Sequence, residues 1–131
     1  MKIQESAENY LETILMLGKE KGNVRSIDIA TALSFSKPSV SVAMKNLREN
    51  GYILMDKDGY IALTEKGHEI AETIYERHTL LSSFLMYLGV SRETATQDAC
   101  RIEHVISPES FEALKQHVYS HKEIMDLNDV K

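Results

Sequence analysis

The chain has 131 residues, 43% hydrophobic and 27% charged, the proportions of a soluble globular protein with one domain or two small ones. A single cysteine excludes a disulfide framework and fits a reducing cytoplasm. No apolar run is long enough to cross a membrane, and "MKIQESAENY" lacks the apolar core of a signal peptide. The net charge of −5 argues against nucleic acid only on average. Residues 19–66 carry eight Lys/Arg and six Asp/Glu, a net of +2, against −7 for the rest.

The first predicted element is a helix in which Tyr10, Leu11, Ile14, Leu15 and Leu17 recur at spacings of three and four. Ser6 is its expected cap, and Gly18 and Gly22 mark its end region. A short helix, "IDIATAL", follows Ser26. A third is expected across "SFSKPSVSVAMKNLRENG", with Ser36 as cap, Pro38 in the first turn and Gly51 as terminator. The period then changes. "YILM" and "YIAL" read as short strands, and Asp58-Gly59 between them is a hairpin turn signal. Thr64 caps a long helix that ends at Gly89. Ser91 caps the next helix, Ser107-Pro108 restarts a last one, and the tail "EIMDLNDVK" is expected to be loosely held. The fold class is mainly α with a small β-hairpin. An N-terminal winged helix-turn-helix, 1–64, precedes a C-terminal helical domain, 65–131, and helix 1 also packs on the second domain.

In a winged helix the third element is the recognition helix, lying in the major groove of double-stranded DNA. Its groove-facing candidates are Ser36, Lys37, Pro38, Ser39, Ser41, Lys45 and Arg48. Lys57 on the wing can reach the backbone. Val42 is open to two readings, contact with a thymine methyl or burial in the core. The whole stripe has a plainer reading as a solvated helix face, and winged helices also serve as protein-interaction modules.

"DACRIEHVIS" sets Cys100, Glu103 and His104 at i, i+3 and i+4, one face of a helix. Thiol, carboxylate and imidazole are metal ligands. A lone Cys is usually a small buried hydrophobe and a lone His a hydrogen-bonded core residue, so both readings stand. His78, inside the apolar stripe of the long helix, can join the set. So can Glu12, which lies among apolar residues of helix 1 with Asn9 on the same face. A buried carboxylate there needs a partner, and a divalent cation is one. Carboxylate, amide and imidazole suit Mn²⁺ or Fe²⁺; a thiolate shifts preference toward Fe²⁺, Co²⁺, Ni²⁺ or Zn²⁺. His68, His117 and His121 read as surface residues. Leu80, Leu81, Phe84, Leu85, Met86 and Leu88 exceed what one small helical half can bury and are expected at a dimer contact, with intrachain core as the alternative.

"NYLETI", the winged helix, "LTEKG", "ERHTLLSSFL" followed by "LGV", and "ACRIEHVIS" together resemble the diphtheria toxin repressor family of metal-dependent transcriptional repressors, from about residue 5 to about 118. The resemblance implies a winged-helix DNA domain, a helical dimerisation domain and activation by a divalent metal. It implies the short, two-domain architecture of the manganese regulators, without an SH3-like third domain. His78, Glu103 and His104 match ligands of both main branches of the family. Glu12 matches the manganese branch, and Cys100 matches the iron branch. Asn9 stands where those branches have Asp and Met. The second site of the iron branch needs a Glu four residues after His78 and a His four before Cys100. Here those are Ser82 and Thr96, so the resemblance supports one site of mixed character.

The expectation is a homodimeric regulator, acting as a repressor of metal-uptake genes on a palindromic operator in the cytoplasm and activated by Mn²⁺ or Fe²⁺. One alternative is a winged-helix repressor that senses a non-metal ligand or oxidation of Cys100. A remote alternative is a metallohydrolase, but HExxH, a Gly-rich phosphate loop and a nucleophile elbow are all missing from the sequence.

Overall fold

A computed structural model describes residues 5–121. The element order is α1 (Glu5–Lys21), α2 (Ser26–Leu33), α3 (Lys37–Glu49), β1 (Ile53–Met55), β2 (Ile61–Leu63), α4 (Glu65–Tyr87), α5 (Arg92–Val105) and α6 (Pro108–Tyr119). The chain divides into two compact units, one ending at Thr73 and the other beginning at Ile74. The expected loose tail, "EIMDLNDVK", lies outside the described residues.

The first unit is the expected winged helix. α2 packs on α1 and α3, and the β1–β2 hairpin contacts α1 and α3. The strands are antiparallel with Ile53 opposite Leu63 and Met55 opposite Ile61, each one residue shorter than the sequence runs suggest. At Tyr60 the turn accounts for the shortening: Asp56 Oδ1 accepts the backbone N–H groups of Asp58 and Tyr60. At Tyr52, the far end of β1, the N–H is taken by the Leu47 carbonyl of α3 at 2.9 Å. Gly59 occupies the left-handed region at φ 85°, which a residue with a side chain adopts at a cost. The Ile61 N–H reaches the carbonyl of Val24 at 2.8 Å and ties the wing to the start of α2.

Local capping follows the sequence at four of six helices. The hydroxyls of Ser36, Ser91 and Ser107 accept N–H groups of Ser39, Thr94 and Ser110, and that of Thr64 accepts the N–H of Gly67. Two expectations shift. Ser6 lies inside α1, because the helix already includes Glu5. Ser26 is helical, and the preceding Arg25 occupies the cap position, its N–H held by the Asp28 carboxylate at 2.8 Å.

The second unit comprises the rest of α4 with α5 and α6. Leu80, Phe111 and Val118 form its core, and Phe84, Ile106 and Leu114 pack against them. Leu80 is 1% exposed and Leu81 is buried as well. Leu80 belongs to the core of the three-helix unit itself, the alternative that the sequence left open. Phe84, Leu85 and Met86 are half-buried, and Leu88 is 62% exposed.

Candidate metal centre

α5 carries a buried stripe, Ala95, Ala99 and Glu103, at intervals of four. Small residues let the helix approach its neighbours closely. The third position of that stripe is a carboxylate with 0% exposure. Such a group is costly to bury unless it is charge-compensated. Its Oε2 lies 2.9 Å from Nδ1 of His78. Its Oε1 accepts no hydrogen bond, although His104 Nε2 is 3.4 Å away. Cys100 Sγ stands 3.8 Å from the same His78 nitrogen.

His78, Cys100 and Glu103 thus bring a nitrogen, a sulfur and an oxygen within 4.8 Å of one another. Bonds of about 2.0–2.3 Å to a first-row ion place donor atoms roughly 3–4.5 Å apart, so the donor set fits such an ion. The buried Oε1 without a hydrogen bond supplies a lone pair suited to a cation. The sulfur of Cys100, and next to it the Glu103 carboxylate, raise the pKa of His78 to about 10 against the opposing effect of burial. An imidazolium held between a sulfur and a carboxylate stands where a metal cation would have the same electrostatic use.

The other expected ligands lie on α1 and α5. Glu12 is buried on α1, 5% exposed, between Leu11 and Thr13 in a run of five buried residues. Asn9 is half-buried, and its backbone carbonyl accepts the Thr13 hydroxyl at 2.8 Å. The side chain of His104 is 3% exposed. Ser82, at the position where a second site would need Glu, donates its hydroxyl to the Thr79 carbonyl of its own helix. Thr96 is exposed. His68 is exposed, 3.4 Å from Glu72, while the rings of exposed His117 on α6 and half-buried His121, just past its end, lie 4.5 Å apart.

The sequence pattern alone does not single out Arg77, which precedes His78. Its Nη1 donates to the backbone carbonyls of Glu103 at 3.1 Å and Ile106 at 3.2 Å. Its guanidinium lies 5.3 Å from the centre of the Phe111 ring. A cation within an apolar stripe, in "ERHTLL", was the available signal.

On the winged helix, Val40, Met44 and Leu47 face inward from α3 and are buried. Ser36, Lys37, Pro38, Ser39, Ser41, Lys45, Arg48 and Lys57 are all exposed. Val42 is 61% exposed on the side of α3 opposite the buried stripe, so its core reading is excluded. Arg48 Nη1 sits 3.7 Å from the Met55 sulfur of the wing. No described helix is long and apolar enough to cross a membrane.

Residues 2–61 match the family model described as the iron dependent repressor N-terminal DNA binding domain. Residues 64–123 match the iron dependent repressor metal binding and dimerisation domain. Over 118 residues the chain is 36% identical to the transcriptional regulator MntR of Escherichia coli, covering 90% of this chain and 76% of that protein. Over 102 residues it is 40% identical to the HTH-type transcriptional regulator MntR of Geobacillus kaustophilus, covering 78% of this chain and 72% of that protein. Among solved structures, the manganese regulator SloR superposes with a TM-score of 0.76 at 30% identity, over 91% of this chain. This chain spans 55% of the length of that solved regulator.

Proposed function

The chain belongs to the iron-dependent repressor family, and from that premise we propose that it is a metal-activated, homodimeric repressor that binds double-stranded DNA and controls metal-uptake genes. The observation that carries the metal part is the convergence of His78 Nδ1, Cys100 Sγ and the fully buried Glu103 carboxylate. Mn²⁺ or Fe²⁺ is the proposed activator, in keeping with the oxygen and nitrogen donors; Co²⁺, Ni²⁺ and Zn²⁺ also suit the sulfur. The likeness to the manganese regulator SloR favours Mn²⁺.

His78, Cys100, Glu103 and His104 are the proposed ligands of the helical half. Glu12, a carboxylate buried on α1, is the proposed ligand of the DNA-binding half; Asn9 is the least supported. When bound, the ion supplies positive charge that neutralises these carboxylates and favours the Cys100 thiolate. The protein's own groups do the rest. In the metal-free protein the Glu103 carboxylate holds the His78 ring beside Cys100. The proposed domain limits are 1–64 for DNA binding and 65–131 for metal binding and dimerisation.

The exposed stripe from Ser36 to Arg48 is the proposed groove-reading face, and Lys57 a backbone contact of the wing. Two recognition helices of a dimer then read a palindromic operator with half-sites roughly 34 Å apart. Leu88 and its half-buried neighbours Phe84, Leu85 and Met86 are the proposed remainder of the dimer face. No catalysis enters this account, and a cytoplasmic location follows from the role.

Titration of reduced protein with Mn²⁺, Fe²⁺ (anaerobically), Co²⁺ and Zn²⁺ tests the site. Wild type is expected to bind tightly, and Cys100→Ala, Glu103→Ala and His104→Ala to weaken binding severely. A series that binds like wild type would remove the site from these residues.

A further inference from the structure

The last carbonyls of a helix have no partner within it. At the end of α5 these include the carbonyl of Glu103, the residue whose carboxylate faces His78. Arg77 takes it. One nitrogen, Nη1, carries two protons and lies within hydrogen-bond distance of two carbonyls, that of Glu103 at 3.1 Å and that of the cap residue Ile106 at 3.2 Å. Nε is buried and makes no hydrogen bond, and the guanidinium lies over the Phe111 ring. Both polar contacts of the cation are therefore directed at the end of one helix, where its charge also complements the helix dipole.

The neighbouring residue on α4 is His78. Its Nδ1 meets the Glu103 carboxylate at 2.9 Å. Glu103 is held at both ends by consecutive residues of one helix, its carbonyl by Arg77 and its carboxylate by His78. A rotation or slide of the last turn of α5 that moved the carboxylate would have to break the Arg77 contacts. We propose that Arg77 is a positioning residue of the metal centre, clamping the end of α5 so that Glu103 presents its carboxylate beside His78 and Cys100. Arg77 touches no ligand atom. It acts through the backbone of Glu103 and rests on the reading of His78, Cys100 and Glu103 as a metal site.

Groups that orient metal ligands from behind typically contribute 10–100-fold to metal affinity. The test uses the full chain, wild type and three variants: Arg77→Met, Arg77→Lys and, as a control, Val118→Ala. Val118 is a buried core residue of the same unit that touches none of these groups by hydrogen bond. Affinity for Mn²⁺ and Co²⁺ is measured by titration, and the Co²⁺–thiolate absorption band reports on Cys100. Circular dichroism reports folding and the apoprotein melting temperature.

The expected result for Arg77→Met is a metal affinity lower by about 10–100-fold and an altered Co²⁺ band. Arg77→Lys, which keeps a cation able to reach a carbonyl, recovers part of both. Val118→Ala lowers the melting temperature but leaves affinity and band unchanged. If Arg77→Met fails to fold, the Lys variant carries the test through the same two readouts. An Arg77 variant that folds and binds Co²⁺ with wild-type affinity and band overturns the inference alone. So does a Val118→Ala variant that loses affinity in step with its stability. A wild type that takes up no metal overturns the site reading and this inference together.

Discussion

Glu103 is the residue on which the account turns, because it occupies a core position in line with Ala95 and Ala99 yet carries a carboxylate. Its partner His78 has its pKa raised to about 10 by Cys100 and Glu103. Two consequences follow from that shift. At neutral pH a metal ion must displace the His78 proton, so metal affinity is expected to tighten as pH rises from 6.5 to 8.5, by about tenfold per unit for each proton released. An affinity independent of pH would contradict a site containing this imidazole. The apoprotein behaves in the opposite sense. A histidine whose folded pKa lies above its unfolded value of about 6.5 stabilises the fold fully below that value. This contribution is expected to be lost as pH rises through about 10, and to be smaller in Glu103→Gln, which removes the second of its two causes, as denaturant titrations across that range would read. On the DNA side, Val42 is an exposed branched alkyl group beside Ser41 and Lys45. Contact with a thymine methyl predicts that replacing one operator thymine by uracil weakens wild type severalfold and Val42→Ala not at all. Equal loss in both proteins, or in neither, would place Val42 outside the reading surface.

At the scale of elements, the junction between wing and α4 shows why "LTEKG" reads as a unit. A Cβ placed on Gly67 would stand 2.1 Å from the backbone oxygen of Tyr52, which also accepts the Thr64 N–H. Gly→Ala in a helix ordinarily gains up to about 1 kcal/mol. Overpacking against unyielding backbone costs about 1–3 kcal/mol, so the clash wins. Gly67→Ala is expected to destabilise the chain by about 1–2 kcal/mol in thermal or denaturant unfolding, and a more stable variant would contradict the close approach. The element order was legible because each boundary has its own local chemistry, as at Ser36, Asp58-Gly59, Thr64, Ser91 and Ser107. The face of α3 was legible from its period, and so was the convergence of Cys100 and Glu103. What the sequence leaves open is tertiary. Leu80 looks equally apolar at a core or at an interface, and Val42 equally apolar inside or out. Arg77 reads as a surface cation until the end of α5 is seen against it. Arg25 caps α2 because Asp28 takes its N–H, a contact that hides behind the more familiar capping residue Ser26.

At the scale of the whole molecule, the proposed switch is a linkage between two ligands. If metal prefers the DNA-competent arrangement of the two halves by about 100-fold, it shifts that equilibrium by about 2.7 kcal/mol. DNA must then tighten metal binding by the same factor. The basic balance of residues 19–66 supplies attraction to the phosphates whether or not metal is present, so metal is expected to act on specific more than on non-specific binding. The most direct measurement is the affinity of the reduced protein for its operator, selected from random duplexes with Mn²⁺ present, compared between saturating Mn²⁺ and chelator at fixed ionic strength. Operator binding is expected to be tighter by about two orders of magnitude with Mn²⁺, with no such gain in Glu103→Ala. Equal operator affinity with Mn²⁺ and with chelator would contradict the proposed switch.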